Sequence, residues 1–355
     1  MNTKEKILRD LRNNDFVSGE KLAHFCGISR NAVHKNVETL RSLGFVIEAV
    51  TNKGYHLVSE VDFLEEQKIA SIIQNKNLKI LTFKTVDSTL TEAKRQIASI
   101  NNFRDSAGNL TEKAKEFVPM LIASESQTSG HGRMGRVFAS PKNSGIYFTL
   151  IYAPKGGVKN PSILTVVASV AVCRVIKNLY GIECQIKWVN DIFLFGKKIC
   201  GILTEGVANF ETGTIPCAMV GIGINIRNSN FDEELSKVAS SIEDLLNEKK
   251  IPFQNVNKNE IVAEITKELL SIYDEYFENQ NENLIHNIIE EYKSRSILIG
   301  KTVKVNPVAG LNGKSYFAKV LDIDEQARLV VQNENKEILA LSAGEVSLKS
   351  ENFSS

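Results

Sequence analysis

The chain has 355 residues, 43% hydrophobic and 24% charged, and its 43 Lys and Arg against 42 Asp and Glu leave a formal net charge of +1. That length exceeds one comfortable core, so two or three domains are expected, and the charge balance excludes a globally basic protein. No run approaches the roughly 20 apolar residues a membrane helix needs, and the sequence is charged from Lys4 onward, unlike a secretory signal. Five cysteines (Cys26, Cys173, Cys184, Cys200, Cys217) form no C-x-x-C pair and have no histidine at zinc spacing. They read as reduced, packed thiols, and the expected setting is the cytoplasm, with no membrane partner.

Lys4 to Arg12 carries Ile7, Leu8 and Leu11 at helical spacing. Ser18 reads as the N-cap of a second short helix containing Leu22, Ala23 and Phe25, and Ser29 as the cap of a third after the turn at Gly27. In that third helix Val33, Val37 and Leu40 share one face, while Arg30, Asn31, His34 and Lys35 fall elsewhere. Runs from Phe45 to Val50 and from Tyr55 to Val58, joined by Thr51-Asn52-Lys53-Gly54, form a β-hairpin pattern. Helix-turn-helix plus hairpin is a winged helix. Its polar third-helix face suits either a protein-interaction module or DNA. Arg30, Asn31, His34 and Lys35 can reach base edges and phosphates, with Lys53 of the wing on the backbone. Residues 1–59 hold nine Lys and Arg against six Asp and Glu, a surplus of three. So small a surplus implies that operator DNA is bound by a dimer on two half-sites.

Glu60 to Asn77 reads as a helical linker. Beyond it, short apolar strands alternate with helices: Lys79 to Val86, Val118 to Ala123, Ile146 to Tyr152, a helix from Ser162 to Leu179, then Cys184 to Val189, Ile192 to Phe195, Ile199 to Glu205 and Pro216 to Asn225. Mixed strands with few helices suggest an α+β sheet domain with helices largely on one side. The polar stretch from Ile100 to Phe117 interrupts the pattern as an insertion or mobile loop. Amphipathic helices follow at Lys258 to Glu278 and Asn283 to Arg295. From Gly300 the short β runs suit a small SH3-like barrel of ~50 residues.

Two stretches carry the chemistry. Ser126 to Arg136 reads SQTSGHGRMGR, in which Gly130, Gly132 and Gly135 allow positive φ and close approach to a ligand, while Arg133 and Arg136 present planar forks to an anion. Lys187-Trp188-Val189-Asn190-Asp191 places a cation, an amide and a carboxylate at the end of a buried strand, where idle burial costs several kcal/mol. Gly221-x-Gly223 lacks the third glycine of a dinucleotide fingerprint, and Gly313-Lys314-Ser315 lacks the first glycine of a P-loop, so neither nucleotide signature holds.

Asp87-Ser88-Thr89, the glycine loop, Lys187-Trp188-x-Asn-Asp, Lys198-x-x-Gly201-Ile-Leu-x-Glu205 and Gly221-x-Gly-x-Asn225, in that order and spacing, resemble the bifunctional biotin protein ligase and biotin operon repressor family over essentially the whole chain. The resemblance implies a central mixed-sheet ligase domain between a winged helix and an SH3-like barrel, divided at 1–60, 61–298 and 299–355. It implies ATP and biotin as substrates, with Mg²⁺ accompanying ATP. The expected partners are a biotin carboxyl carrier protein domain, operator DNA, and a second copy of the chain when the adenylate is bound.

By the same resemblance Arg133 and Lys187 are the catalytic pair. Biotin falls to Ser88, Thr89, Leu90, Gln127, His131, Gly132, Arg133, Lys187 and Gly201, and the adenylate and ATP to Gly130, Arg133, Arg136, Asn190 and Asn225. Ser88-Thr89 reads equally as a helix N-cap, and Asp191 equally as an orienting carboxylate for Lys187 or Asn190 or as a contact for Mg²⁺. Three positions depart from the family pattern: Leu90 for Asn, His131 for Arg, and Val189 for Pro. His131 is a cation only when protonated. A biotin-sensing regulator with a degenerate ligase domain and a lipoate-type ligase are the alternatives.

Overall fold

The computed structural model describes residues 2–42, 45–59, 62–209, 214–227, 231–254, 256–306, 315–342 and 345–348. Gly313 and Lys314 lie outside them. The chain divides into two units, Met1–Phe63 and Leu64–Ser355.

In the first unit α1 (Thr3–Asn13) starts at a capping box: the Asn2 side chain accepts from Glu5 N at 3.0 Å, and the Glu5 carboxylate accepts from Asn2 N at 2.9 Å. Ser18 caps α2 (Gly19–Cys26), which ends at Gly27 with φ 68°. Ser29 Oγ accepts from Ala32 N at the start of α3 (Arg30–Ser42). Strands β1 (Val46–Val50) and β2 (Gly54–Ser59) pair as an antiparallel hairpin. Ile7, Leu11, Leu22, Val33, Val37 and Leu40 are the centre of this unit's core. Val17 is tied to β2 by a reciprocal pair of hydrogen bonds with Tyr55, of 2.9 and 2.8 Å. The winged-helix expectation agrees with this arrangement.

The second unit opens with α4 (Glu66–Ile73), shorter than the linker helix expected from Glu60 to Asn77. There follow β3 (Lys79–Phe83), α5 (Thr89–Ile97), α6 (Glu112–Lys115), β4 (Met120–Ser124), β5 (Gly145–Tyr152) and α7 (Pro161–Tyr180). Next come β6 (Gln185–Lys187), β7 (Asp191–Leu194), β8 (Lys197–Asn209), β9 (Thr214–Asn225), α8 (Glu233–Ser236), α9 (Ile242–Glu248), α10 (Lys258–Tyr273) and α11 (Glu282–Ser294). The strands order as β3-β4-β5-β9-β8-β7-β6, with β3 and β4 parallel and the other pairs antiparallel. This is the mixed sheet of the expected α+β class.

Alternation along the strands sorts the two faces. Ala218, Val220, Ile222 and Ile224 of β9 belong to the large core, which also holds α7, α10 and α11, while Cys217 and Met219 join a smaller cluster with Leu90, Ala93 and Ile97 of α5. α7 is long and apolar enough by length and composition to cross a membrane, contrary to the sequence reading, and 72% of its apolar window is buried inside the protein. It packs against α10, α11 and β8 as the central core helix. The 100–117 stretch is also not a mobile loop: Ile100, Phe103 and Ala114 are buried in the smaller cluster, and Arg104 donates to the carbonyls of Ala153, Pro154 and Gly108. Four of the five cysteines are buried, and all are free.

Strands β10 (Thr302–Asn306), β11 (Tyr316–Ile323), β12 (Leu329–Asn333), β13 (Ile338–Leu341) and β14 (Glu345–Leu348) form an antiparallel sheet ordered β13-β12-β11-β10-β14. Its core is continuous with that of the seven-stranded sheet. Trp188 Nε1 donates to Ala327 O at 2.9 Å, so the chain's single tryptophan fastens the β6–β7 corner to this sheet. Tyr292 of α11 donates to Val189 O at 3.0 Å beside it. The Trp188–Val189 peptide is cis.

Where the chain enters the second unit, Leu64 N donates to the buried Glu125 carboxylate at 3.1 Å, and Glu65 N donates to Asn259 Oδ1 at 2.7 Å. Burial pushes the Glu125 carboxyl above its ordinary pKa. Glu125 stands two residues before Gln127 of the glycine loop.

Candidate functional site

A cavity of about 180 Å³ lies on the α5 side of the sheet, lined from the start of α5, the glycine loop, the β6–β7 corner and the centres of β8 and β9. Its floor is made of glycines because successive strand residues alternate faces. Gly201, Gly221 and Gly223 all line it. The ring of Phe138 fills the hollow they leave: a Cβ on Gly223 would stand 2.5 Å from the ring, and one on Gly201 2.9 Å. Leu90 fills the neighbouring hollow, 2.6 Å from where a Gly221 Cβ would stand, and is itself only 4% exposed.

The polar end is built at the α5 N-terminus. Ser88 Oγ accepts from Thr91 N as the N-cap, while Thr89 N donates to Gln127 Oε1 at 2.8 Å and Thr149 Oγ1 donates to Thr89 Oγ1 at 2.9 Å. Gln127 Nε2 in turn donates to Ser140 Oγ at 2.9 Å. The N-cap reading of Ser88 holds, and Ser88 and Thr89 both line the cavity. Asp87 outside this network is bridged by Arg95, whose hydrogen bonds hold the carboxyl below its usual pKa.

The glycine loop folds back on itself: Gly132 N donates to Arg136 O at 2.7 Å and Phe138 N to Gly130 O at 2.9 Å. Its positive φ values belong to Met134 (57°) and Gly135 (72°), whereas Gly132 is extended at −113°. This corrects the expectation that Gly130 and Gly132 serve through positive φ. Gly130 is required by space instead, since a Cβ there would stand 2.6 Å from both Phe138 O and Ser140 Oγ.

Arg133 Nη1 reaches Asn190 Oδ1 at 3.4 Å, and Asn190 Nδ2 donates to Ile202 O at 2.9 Å. Lys187 sits opposite Asp191 in the β6–β7 register, and Asp191 opposite Gly201 in the β7–β8 register. Asp191 makes its ion pair with Lys198 Nζ at 2.6 Å. Two site residues from the sequence lie outside the cavity lining: Gly130, and Asn225, which is buried and donates to Ser240 O at 3.1 Å. Ser88, Thr89, Leu90, Gln127, His131, Gly132, Arg133, Arg136, Lys187, Asn190 and Gly201 all line it. The sequence presents Lys198 and the Gly221-x-Gly223 pair as motif residues without giving them a place in the site, and it does not single out Phe138. The only local signals were an aromatic closing the loop and the lysine that opens Lys198-x-x-Gly201.

In the first unit Arg30, Asn31, His34 and Lys35 are exposed on α3, opposite the buried Val33 and Val37. Lys53 is exposed in the β1–β2 turn, its Nζ 5.1 Å from the Phe16 ring.

The glycine-floored cationic cavity belongs to a mixed-sheet unit that follows a helix-turn-helix in the sequence. The sequence matches the biotin/lipoate A/B protein ligase family over residues 96–225, a helix-turn-helix domain over 3–56 and the biotin protein ligase C-terminal domain over 298–349. It is 30% identical to the bifunctional ligase/repressor BirA of Bacillus spizizenii over 90% of each chain. It is 26% identical to that of Escherichia coli over 97% of each. The fold is similar to that of the Aquifex aeolicus biotin protein ligase solved in complex with biotin and ATP, with a TM-score of 0.57 and 22% identity over 78% of this chain and 99% of that one. The chain belongs to the bifunctional ligase/repressor BirA family.

Proposed function

We propose that this protein joins biotin and ATP into biotinyl-5′-AMP with release of pyrophosphate, passes the biotinyl group to a lysine of a biotin carboxyl carrier protein domain, and represses its operator as an adenylate-loaded homodimer. The division of labour follows the chain: residues 1–60 read DNA, 61–298 carry the chemistry, and 299–355 help hold ATP and the acceptor domain. The observation that carries this reading is the convergence of Arg133, Arg136 and Lys187 with the Thr89–Gln127 network around one glycine-floored cavity.

The first obstacle to the reaction is repulsion between the biotin carboxylate and the α-phosphate. One pair of like charges at about 4 Å costs roughly 4 kcal/mol at an effective dielectric near 20. Arg133 and Lys187 offset it and stabilise the negative charge gathered as phosphorus becomes pentacovalent. Arg136 and Asn190 hold the nucleotide. The ureido ring of biotin, with donors and acceptors, meets Ser88, Thr89 and Gln127, and His131 and Gly132 close the loop over it. Both steps are displacements between bound reactants, so positioning and charge suffice without a protein nucleophile.

Asp191 is the one carboxylate among the described residues of the cavity lining, and Lys198 engages it. Such a donor set does not suit a protein-held Mg²⁺, which takes several oxygen ligands at about 2.0–2.1 Å. We therefore treat the ion as part of the MgATP substrate. The test is incubation with biotin, ATP and a carrier domain: the acceptor gains the mass of one biotinyl group. An unlabelled acceptor, with no pyrophosphate released, refutes the enzymatic reading.

A further inference from the structure

Lys198 is the second residue of β8 and lines the cavity. Its Cε lies 3.4 Å from where a Gly201 Cβ would stand, its Nζ lies 5.8 Å from the centre of the Phe138 ring, and its ion pair with Asp191 spans 2.6 Å. The stem thus lies along the cavity floor, and Lys187 and Lys198 belong to the two strands that flank β7, which carries Asp191. The two side chains are 29% and 23% exposed, so water still reaches the pair. A part-exposed pair of this kind is weak, and phosphate oxygens can compete for the ammonium.

Resting on the ligase reading, we propose that Lys198 binds the polyphosphate end of ATP and that Asp191 is a positioning residue that holds the ammonium at the cavity when no nucleotide is present. The step it serves balances without proton transfer. A biotin carboxylate oxygen bonds to the α-phosphorus, the bond from that phosphorus to the oxygen bridging to the β-phosphate breaks, and the electron pair leaves on pyrophosphate. Arg133 and Lys187 stand with the carboxylate and the α-phosphate, and Lys198 supplies a cation for the charge that departs.

The experiment measures pyrophosphate release by the full-length protein against ATP concentration. Lys198→Met raises the KM for ATP at least about tenfold, as loss of a charge-assisted hydrogen bond requires. It leaves biotin affinity by calorimetry, and transfer from preformed biotinyl-5′-AMP to the carrier domain, within about twofold of the parent. Lys198→Arg recovers most of the loss. The double variant Asp191→Asn/Lys198→Met stays as impaired as Lys198→Met. An unchanged KM, or a double variant restored to the parent value, overturns the proposal, because restoration means that Lys198 only neutralises Asp191. Lys198→Gln repeats the test should the methionine variant fail to fold. Absence of pyrophosphate release from the unaltered protein sinks the ligase reading instead, so the two failures are distinct.

Discussion

Gly54→Ala should unfold the wing and leave the ligase chemistry in place. Gly54 opens β2 at φ 102°, and a Cβ added there would stand 2.6 Å from both Ser18 Cα and the Val17 carbonyl carbon, which are backbone atoms that no rotamer change can move. Forcing alanine into that conformation costs about 1–3 kcal/mol. Parting the segments breaks the paired Val17–Tyr55 hydrogen bonds, of 2.9 and 2.8 Å. Each contributes about 1 kcal/mol, for a sum of roughly 3–5 kcal/mol. A unit of this size has only a few to about 9 kcal/mol of stability, and each kcal/mol moves its midpoint by about 4–8 °C. Hydrogen exchange read by mass spectrometry should show protection lost across residues 46–59 and kept across 145–152 and 217–225, with operator binding gone and pyrophosphate release retained. Parent-like protection of the hairpin would refute the reasoning.

Lys187→Ala should abolish adenylate formation while operator binding by the unloaded protein stays at the parent level; surviving pyrophosphate release contradicts its assignment. Arg133→Gly should yield a ligase that leaks biotinyl-5′-AMP and labels bystander lysines, seen by blotting for biotin on an unrelated protein, and full retention of the intermediate counts against the role proposed for Arg133. For DNA, the log-log salt slope of the loaded protein should be roughly twice that of a forced monomer, and equal slopes exclude a dimeric reader. Burial raises the Glu125 carboxyl. As pH climbs past the ordinary carboxylate value the unfolded chain releases its proton first, so this group's contribution to stability falls until the folded value is passed. Glu125→Gln keeps an oxygen for Leu64 N and removes that fall, so urea midpoints of variant and parent should diverge in the variant's favour as pH rises above the ordinary carboxylate range. Parallel curves dispose of the idea.

Local signals were legible in the sequence. Ser18 and Ser29 cap helices, Val33, Val37 and Leu40 mark a buried face, and the Asn52-Lys53-Gly54 turn closes a hairpin, because each depends on neighbours a few residues away. The cavity lining from the glycine loop and the Lys187 corner was legible as chemistry out of place in apolar surroundings. What escaped notice is set by strand register. Nothing near Gly221 or Gly223 in the chain announces that Leu90 and Phe138 will lie on them. Lys198 meets Asp191 only because β7 and β8 pair. Ile100, Phe103 and Ala114 are too sparse among polar residues to reveal a core that α5 completes from the other side. α7 was overlooked as an apolar run because Ser, Thr and Cys interrupt it, and these small groups are buried in the same helix.

Leu90 over Gly221 has an evolutionary consequence. The branched side chain occupies the room that a missing one vacates, so neither position is free to drift alone: a methyl at 221 collides with the leucine, and a shorter group at 90 leaves a void over the strand. Descendants of this chain that enlarge residue 221 should therefore carry a smaller residue 90, and substitution at the two sites should appear in family trees as linked events.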